Sequence, residues 1–386
     1  MNKCRLLTPI ILAVLASCSP KESAENTQAY SIELSYELDT IMVDAGDHFF
    51  YVQNNLGISD IDAKNNLLYN FNTDDFSMEV IDLEQRKLKA IIPYEKEGPN
   101  GIGGSFIFNV MHLDDGSTIF FDYLSLSHID STGQKIDSYK FNQGSFSGDS
   151  MAANEEIENY SLVSEDGKTF YGFYGEQSFE GKTAGIATIN LEKNSLKLFP
   201  TNFLDFTYDF GISLEMDGNG VAQFPERNYL HSHDGKVLIT STAKNEIWIY
   251  DPKTDSLTSK IYESQITSNN KKGNFPSRAS GNEEWTAAIL EKRKEVTFGG
   301  LLYDPDENIF WRLSKEMDRM TASDSVIYKT VLTAFDEDLN QLGEVKLPNE
   351  YNSYLKPFMV EGQLWEFLNV EDEIAFVRLK PSYGKD

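Results

Sequence analysis

The sequence predicts an all-β protein: a six-bladed β-propeller of four-stranded antiparallel blades, with an N-terminal strand closing the last blade. Three observations predict it. Apolar runs of strand length recur along nearly the whole chain, separated by tight polar turns. One stretch, Arg227–Tyr262, holds four such runs in about 36 residues, the size of a single propeller blade. The last unit has only three runs, while a spare strand stands at the other end of the chain.

The Arg227–Tyr262 unit sets the pattern. RNYLHS leads through His233-Asp234-Gly235 into KVLITST, then EIWIYDP, a turn at Lys253-Thr254-Asp255, and SLTSKIY. Asp-Gly between apolar runs is a strong hairpin signal, because such turns need positive φ. Other units repeat the plan. Residues 45–95 hold NLLYNFN, MEVIDLE and KLKAIIPY. The next has FIFNVMHL, STIFFDY, LSHIDST and KIDSYKF, and the third NYSLVS, KTFYGFY, GIATINLE and SLKLFP. The fifth runs from GGLLYD through NIFWRLS and SVIYKTVLTAFDED to QLGEVKLP. The sixth has KPFMV, QLWEFLN and EIAFVRLK. Third strands end in Asp or Asn before a polar turn, at Asp82, Asp130, Asn190, Asp251 and Asp336. An Asx side chain can bond its own backbone two residues on, so the ladder is turn chemistry.

Residues 30–38 alternate strictly between apolar and polar, as a strand with one wet face does. Placed as the outer strand of the sixth blade, this strand completes it and removes an open edge. Ile32, Leu34, Tyr36 and Leu38 are then expected to bury one face.

Ahead of that domain, residues 1–17 carry Lys3 and Arg5 before a short apolar run, a secretory signal. Leu15-Ala16-Ser17-Cys18 resembles the bacterial lipobox, which implies Cys18 as the lipidated residue. Residues 18–29 then read as the lipidated Cys and a flexible tether, and 30–386 as a single propeller domain. Loss of the signal removes Cys4 along with both bases, taking the formal charge from −27 to −29. With Cys18 acylated, no thiol remains for a disulfide. So acidic a surface argues against nucleic acid and anionic head groups as partners.

The turns Ser164-Glu165-Asp166-Gly167-Lys168 and Ser232-His233-Asp234-Gly235-Lys236 resemble those of TolB-like six-bladed propellers. Glu97-Gly98-Pro99-Asn100-Gly101 is similar to a linker of Bacteroidetes propeller lipoproteins, and the group most resembled is the domain of unknown function 4221 family. The resemblance implies the fold, a lipid anchor and a cell-envelope location on the periplasmic side or the cell surface. It implies no reaction.

Loop lengths are lopsided. First-to-second and third-to-fourth strand connections are short, whereas inter-blade connections are long: 95–105, 142–158, 201–226, 263–297 and 349–355. Two second-to-third connections, 175–184 and 314–324, are long as well. In a meander both types emerge on one face, where function usually lives. Within the 263–297 connection, Gly281-Asn282 followed by acids and then bases predicts a helix over 282–293. Residues expected at the channel mouth on that face are Arg227, Arg312, Asn228, Lys356, Tyr160 and Asp122, with Asn54 beside them. The two arginines are the ligand candidates by chemistry, since Arg clamps a carboxylate or phosphate through two hydrogen bonds.

Catalytic motifs are missing. There is no G-x-S-x-G, P-loop, G-x-G-x-x-G, H-E-x-x-H or C-x-x-C, and no cofactor or metal site is expected. His231 and His233 share a strand face but border a turn, and Asp217-Gly218-Asn219-Gly220 lacks the glutamate a calcium loop needs. The expectation is therefore a monomeric, membrane-anchored, non-enzymatic binding or scaffold propeller whose long-loop face holds a protein, peptide or glycan. The alternative is an envelope lyase or hydrolase using carboxylates and an Arg in the channel mouth.

Overall fold

The computed structural model describes residues 30–384 apart from 104–105, 124, 142–144, 177–180, 217–218, 322–324, 350, 352–355 and 372. Six sheets share the plan of the Arg227–Tyr262 unit. Blade one runs Ser59–Asp62, Leu67–Asn72, Ser77–Asp82, Lys87–Pro93, and blade two Ile107–His112, Thr118–Asp122, Ser125–Ile129, Lys135–Lys140. Blade three is Glu155–Val163, Thr169–Glu176, Thr183–Asn190, Ser195–Pro200, with Ser147–Gly148 added outside it. Blade four is Asn228–His233, Lys236–Ser241, Lys244–Asp251, Ser256–Ile261, and blade five Thr297–Asp304, Ile309–Met320, Val326–Phe335, Gln341–Lys346. Blade six takes Phe358–Val360, Gln363–Val370 and Glu373–Tyr383 from the C-terminal end and Leu34–Met42 from the N-terminal end.

The middle strands bury both faces, and period-two alternation decides which neighbour each side chain meets. Phe120 packs toward Phe71 and Val80 of blade one, whereas Ile119 and Phe121 pack toward Phe170 and Ala187 of blade three. Tyr171 and Phe173 meet Val237 and Tyr250 of blade four. Leu238 and Ile247 meet Phe310 and Phe335 of blade five, while Trp311 turns to Leu364 and Leu379 of blade six. Phe367 and Phe376 of blade six meet Leu68 and Ile81 of blade one, and the cycle is closed.

The turns form as their residues dictate. Asp234 and Gly235 stand at φ 50° and 70°, as do Glu361 and Gly362 at 51° and 68°, the positive pair a type I′ turn requires. All five Asx residues cap their turns. Asp82, Asn190 and Asp251 accept from the backbone N–H groups of Gln85, Lys193 and Lys253 at 2.7, 2.8 and 2.8 Å. Asp130 accepts from Thr132 and Gln134, and Asp336 from Asn340.

The closing strand is present but displaced. It spans Leu34–Met42 instead of 30–38, antiparallel to Glu373–Tyr383 from the Leu34↔Tyr383 pair to the Met42↔Ala375 pair. Residues 31–32 lean instead on blade five, where Ser31 and Ile32 N–H both donate to the Leu342 carbonyl. Ile32, Leu34 and Tyr36 enter the core between blades five and six as expected, but Leu38 is 38% exposed. In its place Ile41 and Val43 enter the core between blades six and one. The strand therefore touches both interfaces of the blade it completes. Arg378 Nε donates to Asp39 Oδ1 at 2.8 Å and its Nη2 to Asp39 Oδ2, a two-pronged clasp across the seam.

The long connections carry structure of their own. Within 201–226 lie a 3-10 helix, Asp205–Phe210, and a hairpin, Ile212–Met216 with Asn219–Phe224. Arg278–Ala279 adds to that hairpin in parallel as a third strand. Helix α1, Asn282–Lys294, forms where expected, with Glu284 accepting from the Ser280 N–H and hydroxyl at its start and Lys292, Arg293 and Lys294 in its last turn. The 314–324 connection is no loop: Ile309–Met320 and Val326–Phe335 keep pairing out to Met320↔Val326.

Truncation tests the closure. Removing residues 30–42 is expected to cost several kcal/mol, at about 25 cal/mol per Å² of apolar surface uncovered, and to bare the edge of Glu373–Tyr383. Removing 19–29 alone should cost almost nothing. Urea unfolding and the soluble fraction of the two truncations make the comparison, and an unchanged midpoint without 30–42 contradicts it.

Candidate functional site

The short inner strands face the ring axis, and one expected residue reaches it. Lys356 is solvent-exposed by area yet its ammonium lies among inner strands, donating to the Ser59 carbonyl of blade one and to Asn109 Oδ1 of blade two at 3.4 Å. Burial pulls that ammonium down, opposed by Asp60. Asp60, held by the His112 N–H at 2.7 Å, is raised by its own burial, opposed by Lys356.

Arg312 is not at the mouth. It is 1% exposed, the fourth residue of a strand that runs on past it to Met320, and its side chain has the parity of Phe310, toward blade four. There Nη2 donates to Asn245 Oδ1, and the guanidinium lies 5.0 Å from the Phe335 ring centre, 5.1 Å from that of Phe298 and 5.8 Å from that of Tyr262. Burial drives its pKa down to about 10. It is an interface residue between two blades.

The other expected residues scatter. Arg227 is exposed, its backbone tied to Thr242. Asp122 is half-buried at the end of its strand and accepts from the Tyr123 N–H. Tyr160 belongs to Glu155–Val163, but its side chain is outside the described residues, as are Cys18 and Asp217-Gly218. Asn54 donates to Tyr51 Oη at 3.4 Å. His231 is packed against Phe310, and burial pushes its pKa down to about 4. His233 lies 4.5 Å from the Tyr303 ring, and among the described residues no three His, Cys, Asp or Glu side chains converge as metal ligands. Of these residues, Asn228 alone lines the hollow between blade three and the 201–226 insertion.

That hollow is a cavity of about 420 Å³ on the long-loop face. Blade three supplies its floor through Glu156, Glu158, Glu176 and Thr183; the 201–226 insertion supplies Tyr208, Ser213 and Gln223; Ser277 and Arg278 close the rim. Thr183 Oγ1 donates to Glu158 Oε1 at 2.6 Å, Tyr208 Oη donates to Thr183 Oγ1 at 3.0 Å, and the Thr183 N–H donates back to Tyr208 Oη. Burial raises the Glu158 carboxyl above the usual range, and neighbouring Glu156 adds to the shift.

One wall is anchored by buried charge. Glu226 is 6% exposed and Lys292, on helix α1, is 4% exposed. Lys292 Nζ lies 2.8 Å from Glu226 Oε1 and donates to the carbonyls of Phe210, Phe224 and Pro225 at 2.7, 2.9 and 3.3 Å. Lys271 Nζ approaches Glu226 Oε2 at 4.0 Å, and Thr242 Oγ1 donates to that same oxygen. A single ammonium thus ties the helix to both ends of the hairpin within the insertion. Neither the carboxylates of the floor nor this anchor stood out in the sequence, because 61 acids hide any four. The one available signal was position: Glu226 and Thr183 both stand where a long connection meets a strand.

The family model for a domain of unknown function, DUF4221, matches residues 31–346. The chain belongs to that family. A DUF4221 member from Bacteroides vulgatus has a similar structure, with a TM-score of 0.64 at 14% identity over 92% of this chain and 99% of that one. A Bacteroides fragilis protein named as a candidate exported protein gives a TM-score of 0.49 at 10% identity, covering 93% and 98% of the two chains. No curated protein matches the sequence.

In this DUF4221 propeller, Lys292→Met should cost about 3–5 kcal/mol, because it leaves Glu226 buried without its nearest cation. The double variant Lys292→Met/Glu226→Gln should recover part of that loss. Chemical denaturation of both variants checks the ordering, and a double variant no better than the single one contradicts it.

Proposed function

We propose that this chain is a lipid-anchored binding or scaffold propeller of the bacterial cell envelope, its ligand or partner held on the long-loop face. The observation that carries the reading is the cavity itself. Residues of two inter-blade insertions and the described ends of one second-to-third strand connection, distant in sequence, line it on one side of the ring. Its volume lies within the range of small-ligand sites, which rigid scaffolds typically form from their loops. The opposite face, made of two-residue and Asx turns, has no comparable elaboration among the described residues. The anchor rests on Leu15-Ala16-Ser17-Cys18 after a short apolar run, and no helix among the described residues is long and apolar enough to cross a membrane. One observation favours the enzymatic alternative, a lyase or hydrolase: Glu158 is a desolvated carboxyl beside a second carboxyl at a cavity. The hydroxyls beside it, those of Thr183 and Tyr208, belong to none of the catalytic motifs sought in the sequence, and binding is the better supported reading.

Two photo-crosslinkable variants of the full chain separate the faces. A crosslinker at Ser277, on the cavity rim, should capture a ligand or partner in the envelope that one at Asp234, in a turn opposite, does not. Equal capture from both positions, or capture from Asp234 alone, contradicts the reading. In the same cells, Cys18→Ser should move the protein from the membrane to the soluble fraction.

A further inference from the structure

We propose that residues 272–295 form a hinged lid on one side of the cavity, with its hinge at Glu295 and its latch at the Lys292 ammonium. The inference rests on the reading of the cavity as a binding site and adds to it the part that opens. Burial comes first. Among the described residues of the segment only Ala279, Ala288 and Lys292 are buried, with Phe275, Trp285 and Ile289 half-buried. Neighbouring blades lock one another through clusters of large apolar side chains, whereas the fully enclosed groups here are two methyls and one ammonium. A segment with so little apolar burial opens locally, at a free energy well below that of the ring.

The two ends of the segment meet. Glu295 Oε2 accepts from the N–H groups of Lys272 and Gly273 at 2.8 and 3.0 Å, and its Oε1 accepts from that of Asn274 at 2.8 Å. Gly273 stands there at φ 69°, a conformation glycine takes without strain. A loop pinched at its base can swing as one piece, with the few residues of the pinch absorbing the change in φ and ψ.

What the lid grips is the 201–226 insertion. Lys292 Nζ holds Glu226 and the Phe210, Phe224 and Pro225 carbonyls. Further along, the Ser213 N–H donates to the Ser277 carbonyl at 2.8 Å, and Arg278 pairs with Glu215 at the surface, where an ion pair contributes little. The latch can release because Glu226 is not left bare: the Thr242 hydroxyl and Lys271 Nζ, at 4.0 Å, both belong outside the lid and stay. Room to move lies on the other side of helix α1, where Glu291 and Lys294 face Glu316 and Met317 across a hollow of about 230 Å³. Opening carries Ser277 and Arg278 away from the cavity rim and uncovers the edge of Ile212–Met216.

Thiol labelling of the native chain tests this without any ligand. The chain from residue 18 onward carrying Cys18→Ser has no other cysteine, so a single added thiol reports where it opens. Ala288→Cys lies under helix α1, Ala279→Cys on the rim strand and Ser127→Cys in blade two, all at buried positions. With dithionitrobenzoate the first two should react at a common rate, at least about a hundredfold faster than the third and with a much shallower dependence on urea. Lys292→Met should speed both by about tenfold or more and leave Ser127→Cys unchanged. Arg278→Ala, which loses only the surface pair, should change them by less than about threefold. If Lys292→Met does not fold, the rates and urea slopes of the three single thiols decide alone. Lid thiols as slow as Ser127→Cys, or as steep in urea, mean that the segment opens only with the ring, and they overturn the lid. Fast Ala288→Cys with slow Ala279→Cys means a fraying helix over a closed rim and overturns it too, as do unchanged rates in Lys292→Met. Since no ligand enters these rates, the lid can fail while the crosslinking comparison of the two faces stands, and the reverse.

Discussion

The pairing of Leu34–Met42 with Glu373–Tyr383 is the constraint on which the rest of this structure depends. Each blade has two apolar faces and is stable only between neighbours, so an open array of six would leave two faces and an edge uncovered. Closing the ring with residues from both ends of the chain removes that cost in one step. It also makes the first blade and the last mutually dependent, because Ile41 and Val43 reach the core shared by blades six and one while Leu34 reaches the core shared by blades five and six. The Asp39–Arg378 clasp adds direction to the seam, and Arg378 is further placed 5.2 Å from the Trp365 ring.

A rigid ring allows long insertions without loss of register. The 201–226 and 263–297 connections leave the outer strand of one blade and enter the inner strand of the next at positions that the ring fixes, so their length is free to vary. What they build is held by polar contacts more than by an apolar core of its own. Lys292 gathers three carbonyls and Glu226 at the base of helix α1, and Glu295 accepts from the N–H groups of Lys272, Gly273 and Asn274 at its end. The cavity floor belongs to blade three and its wall to the insertions. Its geometry is therefore set jointly by a part that cannot move without breaking the ring and a part pinned by buried charge.

Much of the fold was legible in the chain, and for physical reasons. Asp-Gly and Asx turns announce themselves locally, since few residues take their φ or cap their backbone, and all five Asx positions do as their chemistry requires. The closing strand was visible as an unpaired alternation, but its register was not. Two competing partners, blade five at Leu342 and blade six beyond Leu34, share residues 31–42, and the sequence does not say where one takes over. Arg312 shows where the reading of the site ran out. Its strand continues past it to Met320 as a hairpin, so a residue that seemed to end at the mouth lies in mid-strand. The cavity was hidden for a different reason: Glu158, Thr183 and Tyr208 are brought together across 25 residues each by tertiary folding alone, and nothing distinguishes these groups from dozens of other acids and hydroxyls.

Hydrogen exchange followed residue by residue tests the central claim that the seam is an integral part of the fold. In the closed ring, amides of Leu34–Met42 that bond to Glu373–Tyr383 should exchange only with global opening, at the same slow rate as those of the buried strands Thr118–Asp122 and Lys236–Ser241. If the seam amides exchange orders of magnitude faster while those strands remain protected, the ring is held by its blades alone and the closing strand is an ornament on its edge.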